Sequence, residues 1–225
     1  KKLAVGAAAL VATSSAAHAE QLVDSIHFLI PGGAGGGWDG TARGTGEALT
    51  GAGIVGSASY ENMSGGGGGV AIGHLIESAD AMHGTLMVNS TPIVIRSLQG
   101  VFPYNFSDLT MIAGTIGDFG ALVVTPGSAT TLADLVAAYT ADANSIAMGG
   151  GSVPGGMDHL FGAMVMNAAG ADATKIAYLP FDAGGVALAA LLSGEIEVLS
   201  TGLGEALAQQ KAGEVDILCV TSDAR

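Results

Sequence analysis

Between Pro31 and Trp38 the chain reads Gly-Gly-Ala-Gly-Gly-Gly, and that stretch limits what its surroundings can become. The apolar run Ile26-His27-Phe28-Leu29-Ile30 has the composition of a buried strand, Pro31 ends it, and a helical pattern opens near Trp38. A glycine-rich turn from strand to helix lets bare backbone N–H groups approach a ligand. The helix N-terminus behind it carries about half a positive charge, so the two together form an anion cradle. A phosphate-binding P-loop needs Gly-Lys-Ser/Thr at its end, and no lysine lies between Lys2 and Lys175. Gly35, Gly37 and Gly40 do fit the G-x-G-x-x-G spacing of a dinucleotide fold, with Glu61 about twenty residues on as the ribose-binding acid. In so glycine-rich a stretch several registers satisfy that spacing. A dinucleotide-binding oxidoreductase therefore stands as one alternative.

The start of the chain bears on this choice. Lys1-Lys2, an apolar run over 3–12, and Ala17-His18-Ala19 before Glu20 follow the order of a secretory signal peptide covering residues 1–19. The run is too short to anchor in a bilayer, and no twin arginine or lipobox cysteine accompanies it. Export to the periplasm places the protein where nicotinamide cofactors are scarce. Seven Lys or Arg stand against twenty Asp or Glu, a formal net charge of −13, which repels nucleic acid and anionic membranes. Beyond residue 19 no apolar run reaches the ~18 residues of a spanning helix, so direct membrane insertion is not expected. Cys219 is the only cysteine and lies in a strand-like run, which reads as a buried, inert thiol.

Strand and helix patterns alternate along the rest. Strands are predicted at 26–30, 54–60, 86–89, 109–115, 120–125, 145–149, 175–179, 195–200 and 215–221. Helices are predicted at 38–50, 69–79, 93–98, 132–140, 157–169, 183–193 and 203–211. Thr131 and Asp134 supply the start of the helix at 132–140. Such alternation implies an α/β fold with mostly parallel sheets and helices on both faces. Three loops follow a strand, are rich in glycine and feed a helix: 31–38, 149–156 and 181–185. Open α/β sheets bind ligands at the carboxyl ends of their strands, where such loops gather.

Four ordered motifs are recognisable. Pro31-Gly32-Gly33-Ala34-Gly35-Gly36-Gly37-Trp38-Asp39 with Thr41-Ala42-Arg43 resembles the solute-binding proteins of tripartite tricarboxylate transporters. So do Glu61-Asn62-Met63-Ser64 with Gly65 to Gly68, the stretch from Gly149 to Leu160, and Leu179-Pro180-Phe181-Asp182-Ala183-Gly184-Gly185. The Gly-Gly-Trp-Asp and Pro-Phe-Asp variants are similar to the tricarboxylate branch. The resemblance implies a two-domain periplasmic-binding-protein fold of the Venus-flytrap type II kind. Family members run on by a further segment that rejoins the first domain, so the sequence reads as C-terminally incomplete. The domains expected are 20–125 and 126–221, with 222–225 beginning a return crossover and hinges at Thr125-Pro126 and from Thr221 onward.

What the resemblance implies for function is a monomeric receptor that captures a di- or tricarboxylate such as citrate and passes it to membrane permease subunits. The same loops would equally serve an exported sensory module. In the first domain the ligand residues would be Gly33, Ala34, Gly35, Gly36, Gly37, Trp38 and Asp39, with Ser90 and Thr91 as hydroxyl donors; Thr201, in the second domain, is a weaker one. The facing domain would add Gly151, Ser152, Gly155, Gly156 and Asp158, and then Phe181, Asp182, Ala183 and Gly184. Asp39 is expected to cap its helix, bond to loop amides or hold a water. Phe181 is expected to pack on the ligand or the hinge. His159, Asp158 and His74 lack metal-ligand spacing, and no G-x-S-x-G elbow accompanies Ser152, so neither a metal, a cofactor nor catalysis is expected.

Overall fold

The computed structural model describes residues 20–223. The predicted signal peptide therefore lies outside the described residues. Two sheets organise the chain. The first holds β1 (Val23–Ile30), β2 (Val55–Asn62) and β3 (Thr85–Met87) in the order β2-β1-β3, with both pairings parallel. Helices α1 (Gly37–Gly51), α2 (Gly69–Glu77) and α3 (Thr91–Gln99) follow its strands in turn. Phe28 and Ile30 of β1 pack with Ala42 of α1, and Phe28 stacks on Tyr60 of β2 at 5.5 Å. Pro92 stands in the first turn of α3, where a missing N–H costs nothing.

The second sheet contains β4 (Gly120–Val124), β5 (Ala147–Gly150), β6 (Ala177–Pro180), β7 (Val198–Gly202) and β8 (Asp216–Val220), ordered β6-β5-β7-β4-β8. Its helices are α4 (Leu132–Ala141), α5 (Met157–Ala168), α6 (Gly184–Ser193) and α7 (Leu203–Ala212). β5 runs parallel to β6 and β7, whereas β4 is antiparallel to β7 and β8. Alternate residues of β4 enter two cores. Ala121 and Val123 join Leu191, Ile196 and Leu199, while Leu122 and Val124 join Met148, Phe161 and Val198. A strand buried on both faces needs apolar residues at every position, which Gly-Ala-Leu-Val-Val supplies. α4 opens with the expected reciprocal cap: Thr131 Oγ1 accepts from Asp134 N, and Asp134 accepts from Thr131 N at 2.9 Å. Among the described residues no helix is long and apolar enough to cross a membrane.

Two expectations are corrected. Residues 109–115 form no strand, and Met111 and Ile112 are 81% and 73% exposed. No described strand runs beside them, and an extended segment becomes a strand only when its backbone groups find ladder partners. Residues 120–124 pair in the second sheet rather than completing the first domain, because their apolar run is claimed by both cores of that sheet. Thr125-Pro126 belongs to a turn inside the second unit, where Thr125 O accepts from Ser128 N at 3.2 Å, and the chain enters that unit at Gly120. There Gly120 O accepts from Thr221 N at 3.0 Å, and Gly120 N donates to Thr221 Oγ1 at 2.9 Å.

Candidate functional site

The loop after β1 is held from within by Asp39. This carboxylate, 5% exposed, accepts from Gly35 N, Arg43 Nε and Asn62 Nδ2, each at 3.0 Å. Burial alone would raise its pKa, yet the Arg43, Gly35 and Asn62 donors outweigh it and hold the carboxyl below the usual carboxylate range. Of the roles expected for Asp39, bonding to a loop amide is the one observed. It uses the Gly35 N–H, and the Gly36 N–H points to Gly33 O at 3.4 Å. The loop thus offers fewer amides than its glycine count suggests: those near Ala34, and the first N–H groups of α1, which by geometry have no partner within the helix. No side chain caps α1, since Gly36 stands before it. Trp38 is partly buried beside the Phe28 core, and its indole N–H donates to Ser90 Oγ at 2.9 Å. Ser90 and Thr91 are exposed at the start of α3.

The loop after β5 is built around Ser152. Its hydroxyl accepts from Asp158 N at 3.0 Å and lies 3.2 Å from the Tyr178 hydroxyl, which donates to Ser152 O at 2.8 Å. His159 stacks on Tyr178 with ring centroids 4.5 Å apart, and its Nδ1 accepts from Gly155 N at 2.9 Å. Neutral His159 therefore carries its proton on Nε2. The Asp158 carboxyl is pushed up to about 7, chiefly by burial and then by the negative charge of Glu205, against hydrogen bonds from Gly151 and Ser152. Burial likewise pushes the Tyr178 phenol upward.

The third loop joins the two units. Asp182 Oδ2 accepts from Ser64 Oγ, in the loop after β2, at 3.0 Å. Ala183, just before α6, is buried against the first loop: a Cβ added to Gly36 would come within 3.2 Å of Ala183 Cβ, and one on Gly185 within 2.9 Å of Gly35 O. Gly151 packs against the Ala183–Gly184 backbone so closely that a Cβ would collide with Gly184 N. The glycine loops of both sheets thus meet at one seam, where their lack of side chains permits the approach. Phe181, the residue after β6, is partly buried and packs with the second core near Gly149. Thr201 is buried and donates to Glu205 Oε2.

Several seam residues escaped sequence reasoning. Glu205 accepts from Gly202 N at 3.3 Å and lies against Gly184. Its acid three positions into α7 was a capping signal, obscured by the glycine before the helix. Gln99 Nε2 donates across the seam to Gly155 O at 2.9 Å, and Arg96 Nη1 donates to Gln99 Oε1 at 2.9 Å. Nothing in the local pattern of α3 distinguishes these two from other polar helix residues.

Comparison with known proteins identifies the family and the fold. Residues 43–225 match the tripartite tricarboxylate transporter family receptor. Among solved structures, the periplasmic binding protein BugD is 18% identical with a TM-score of 0.77, covering 90% of this chain and 67% of that one. MatC from Rhodopseudomonas palustris, solved with bound malate, is 18% identical with a TM-score of 0.73, covering 90% and 68%. An R. palustris protein solved with adipate is 21% identical with a TM-score of 0.68, covering 90% and 67%. Likeness at this identity shows the fold, which is that of the periplasmic binding proteins. No curated protein matches the sequence.

Proposed function

This chain belongs to the tripartite tricarboxylate transporter family receptors, and on that footing we propose that it captures a di- or tricarboxylate of the citrate class in the periplasm. The acid is held by backbone amides at the seam and delivered to the membrane permease subunits of a tripartite transporter. The observation that carries this reading is the meeting of α1 and α6. Both helices begin at the seam, neither has a capping side chain, and Gly36 and Ala183 before them are in near contact. By contrast α4, which begins elsewhere, is fully capped. Helix N-termini favour a negatively charged group; the Glu205 carboxylate already lies against the start of α6, so the start of α1 and the amides of the glycine loops are what remain for a ligand. An acidic chain can hold an anion this way without spending arginines on it. The malate and adipate bound by two of the structural neighbours belong to the same chemical class.

Because one chain carries both halves of the seam, capture is proposed to need a single copy. The test is a thermal-shift screen of small organic acids on the full chain. Stabilisation follows RT ln(1 + [L]/Kd), about 2.7 kcal/mol at a hundredfold excess over Kd. Citrate, malate or a close relative should stand out. No shift with any carboxylate, alongside a clear shift with a nucleotide, would overturn the proposal in favour of the dinucleotide alternative.

A further inference from the structure

We propose that Arg96 receives the second carboxylate of the ligand, in a corner formed by the loop after β2 and the loop after β5; this rests on the carboxylate-receptor reading above. Arg96 is partly buried on α3, and its Nε is fully buried with no hydrogen-bond acceptor among the described residues. One other donor of the guanidinium, Nη1, is fixed by Gln99 Oε1, and Gln99 in turn is fixed by Gly155 O of the facing unit. The Nε–Nη2 edge is then the side left without an acceptor, suited to the planar two-point contact in which arginine binds carboxylates best; because Nε is covered beside Gly67, a carboxylate would reach it when the seam opens.

The surroundings of that edge support an anion. Gly67, at φ +68°, brings backbone beside it: a Cβ there would lie 3.2 Å from Arg96 Nε and 3.2 Å from Val153 Cγ2 of the facing unit. Gly65 to Gly68 all have positive φ and lead directly into α2, with Gly68 N donating to Gly65 O at 3.1 Å. The same loop adjoins the first one, since a Cβ on Gly68 would lie 3.7 Å from Trp38 Cη2. No carboxylate of the protein is within ion-pairing distance of Arg96 among the described residues, although acids outnumber bases twenty to seven. The other described arginine, Arg43, is committed to Asp39. Arg96 is the guanidinium held ready at the seam with an unmet donor. An acid with one carboxylate at the start of α1 and a second at Arg96 would be gripped at both ends.

Titration calorimetry on the full chain and on Arg96→Gln tests this, with malate and adipate as dicarboxylates and butyrate as a monocarboxylate. Loss of about tenfold or more in dicarboxylate affinity is expected, with butyrate binding unchanged within about twofold, because each tenfold corresponds to one ordinary charged contact. Arg96→Lys should recover only part of the loss, since an ammonium cannot make the two-point contact. Equal dicarboxylate affinity in Arg96→Gln, or equal losses for both ligand classes, overturns the proposal while leaving the receptor reading intact. Failure of the unmodified chain to bind any carboxylate overturns both.

Discussion

The Ser64 hydroxyl donates to the Asp182 carboxylate at 3.0 Å, joining a loop of the first sheet to a loop of the second across 118 residues of sequence. With Gln99 on Gly155, it is one of two side-chain hydrogen bonds that span the seam near its glycine loops among the described residues. Replacing Asp182 by Ala removes the acceptor and shifts the ligand-free protein toward separated units. Small-angle scattering without ligand should show a larger radius of gyration for Asp182→Ala than for the unmodified chain. An unchanged radius would mean that the loops hold together through backbone packing alone.

Gly36 separates binding from folding. Its backbone, φ −83° and ψ 171°, suits any residue, so a side chain introduces no backbone strain there. A Cβ would however lie 3.2 Å from Ala183 Cβ, so a branched side chain wedges the seam apart. Gly36→Val should weaken carboxylate binding by more than about tenfold and lower Tm by only a few degrees, roughly 1 kcal/mol or less. Calorimetry and a melting curve on the same sample decide it, and equal losses would mark the glycine as structural.

Gly151 should behave in the opposite way. A Cβ there meets the Gly184 backbone, which cannot rotate aside. Gly151→Ala is expected to destabilise the second unit by about 1–3 kcal/mol, the ordinary cost of overpacking. Chemical denaturation is the appropriate measurement.

Asp158 makes stability depend on pH in an unusual direction. Its carboxyl titrates near 3.8 when exposed but is pushed up to about 7 in the folded chain. Below pH 4 both states are protonated and nothing is lost. Between about pH 4 and 7 the unfolded chain ionises while the folded one resists, so stability falls as pH rises and then levels off. Denaturation across this window should show a decline on the order of a few kcal/mol at most, tempered by the partial exposure of Asp158. Asp158→Asn should flatten it.

Asp39 has the opposite sign. Its folded pKa lies below 3.8, so its contribution is present above that value and disappears as pH falls through the lower folded one. Asp39→Asn should lose the Arg43 contacts and cost about 1–3 kcal/mol at neutral pH, measured by denaturation.

The regular elements were legible because their signals are local. Glycine and proline marked the ends of strands, and Thr131 with Asp134 announced α4 within four residues. The segment 109–115 carries the same apolar signal as a strand, but whether it pairs depends on a neighbour that no local pattern specifies. The loops of the site were legible by their glycines, while the side chains that tie them together were not. Ser64 and Asp182, or Gln99 and Gly155, meet only because two separate sheets bring their loops face to face. Asp39 was legible as an acid at a helix start, but its bond to Asn62 requires the register that sets Ile30 beside Asn62.

The pairing of Gly120 with Thr221 has a mechanical consequence. The chain enters the second unit where β4 begins, and the end of β8 lies beside that entry, joined to it by hydrogen bonds. A lone entry strand could turn about its own axis, whereas one braced by a neighbouring strand holds its heading. The braced entry thus gives the second sheet a defined starting direction, from which its glycine loops project.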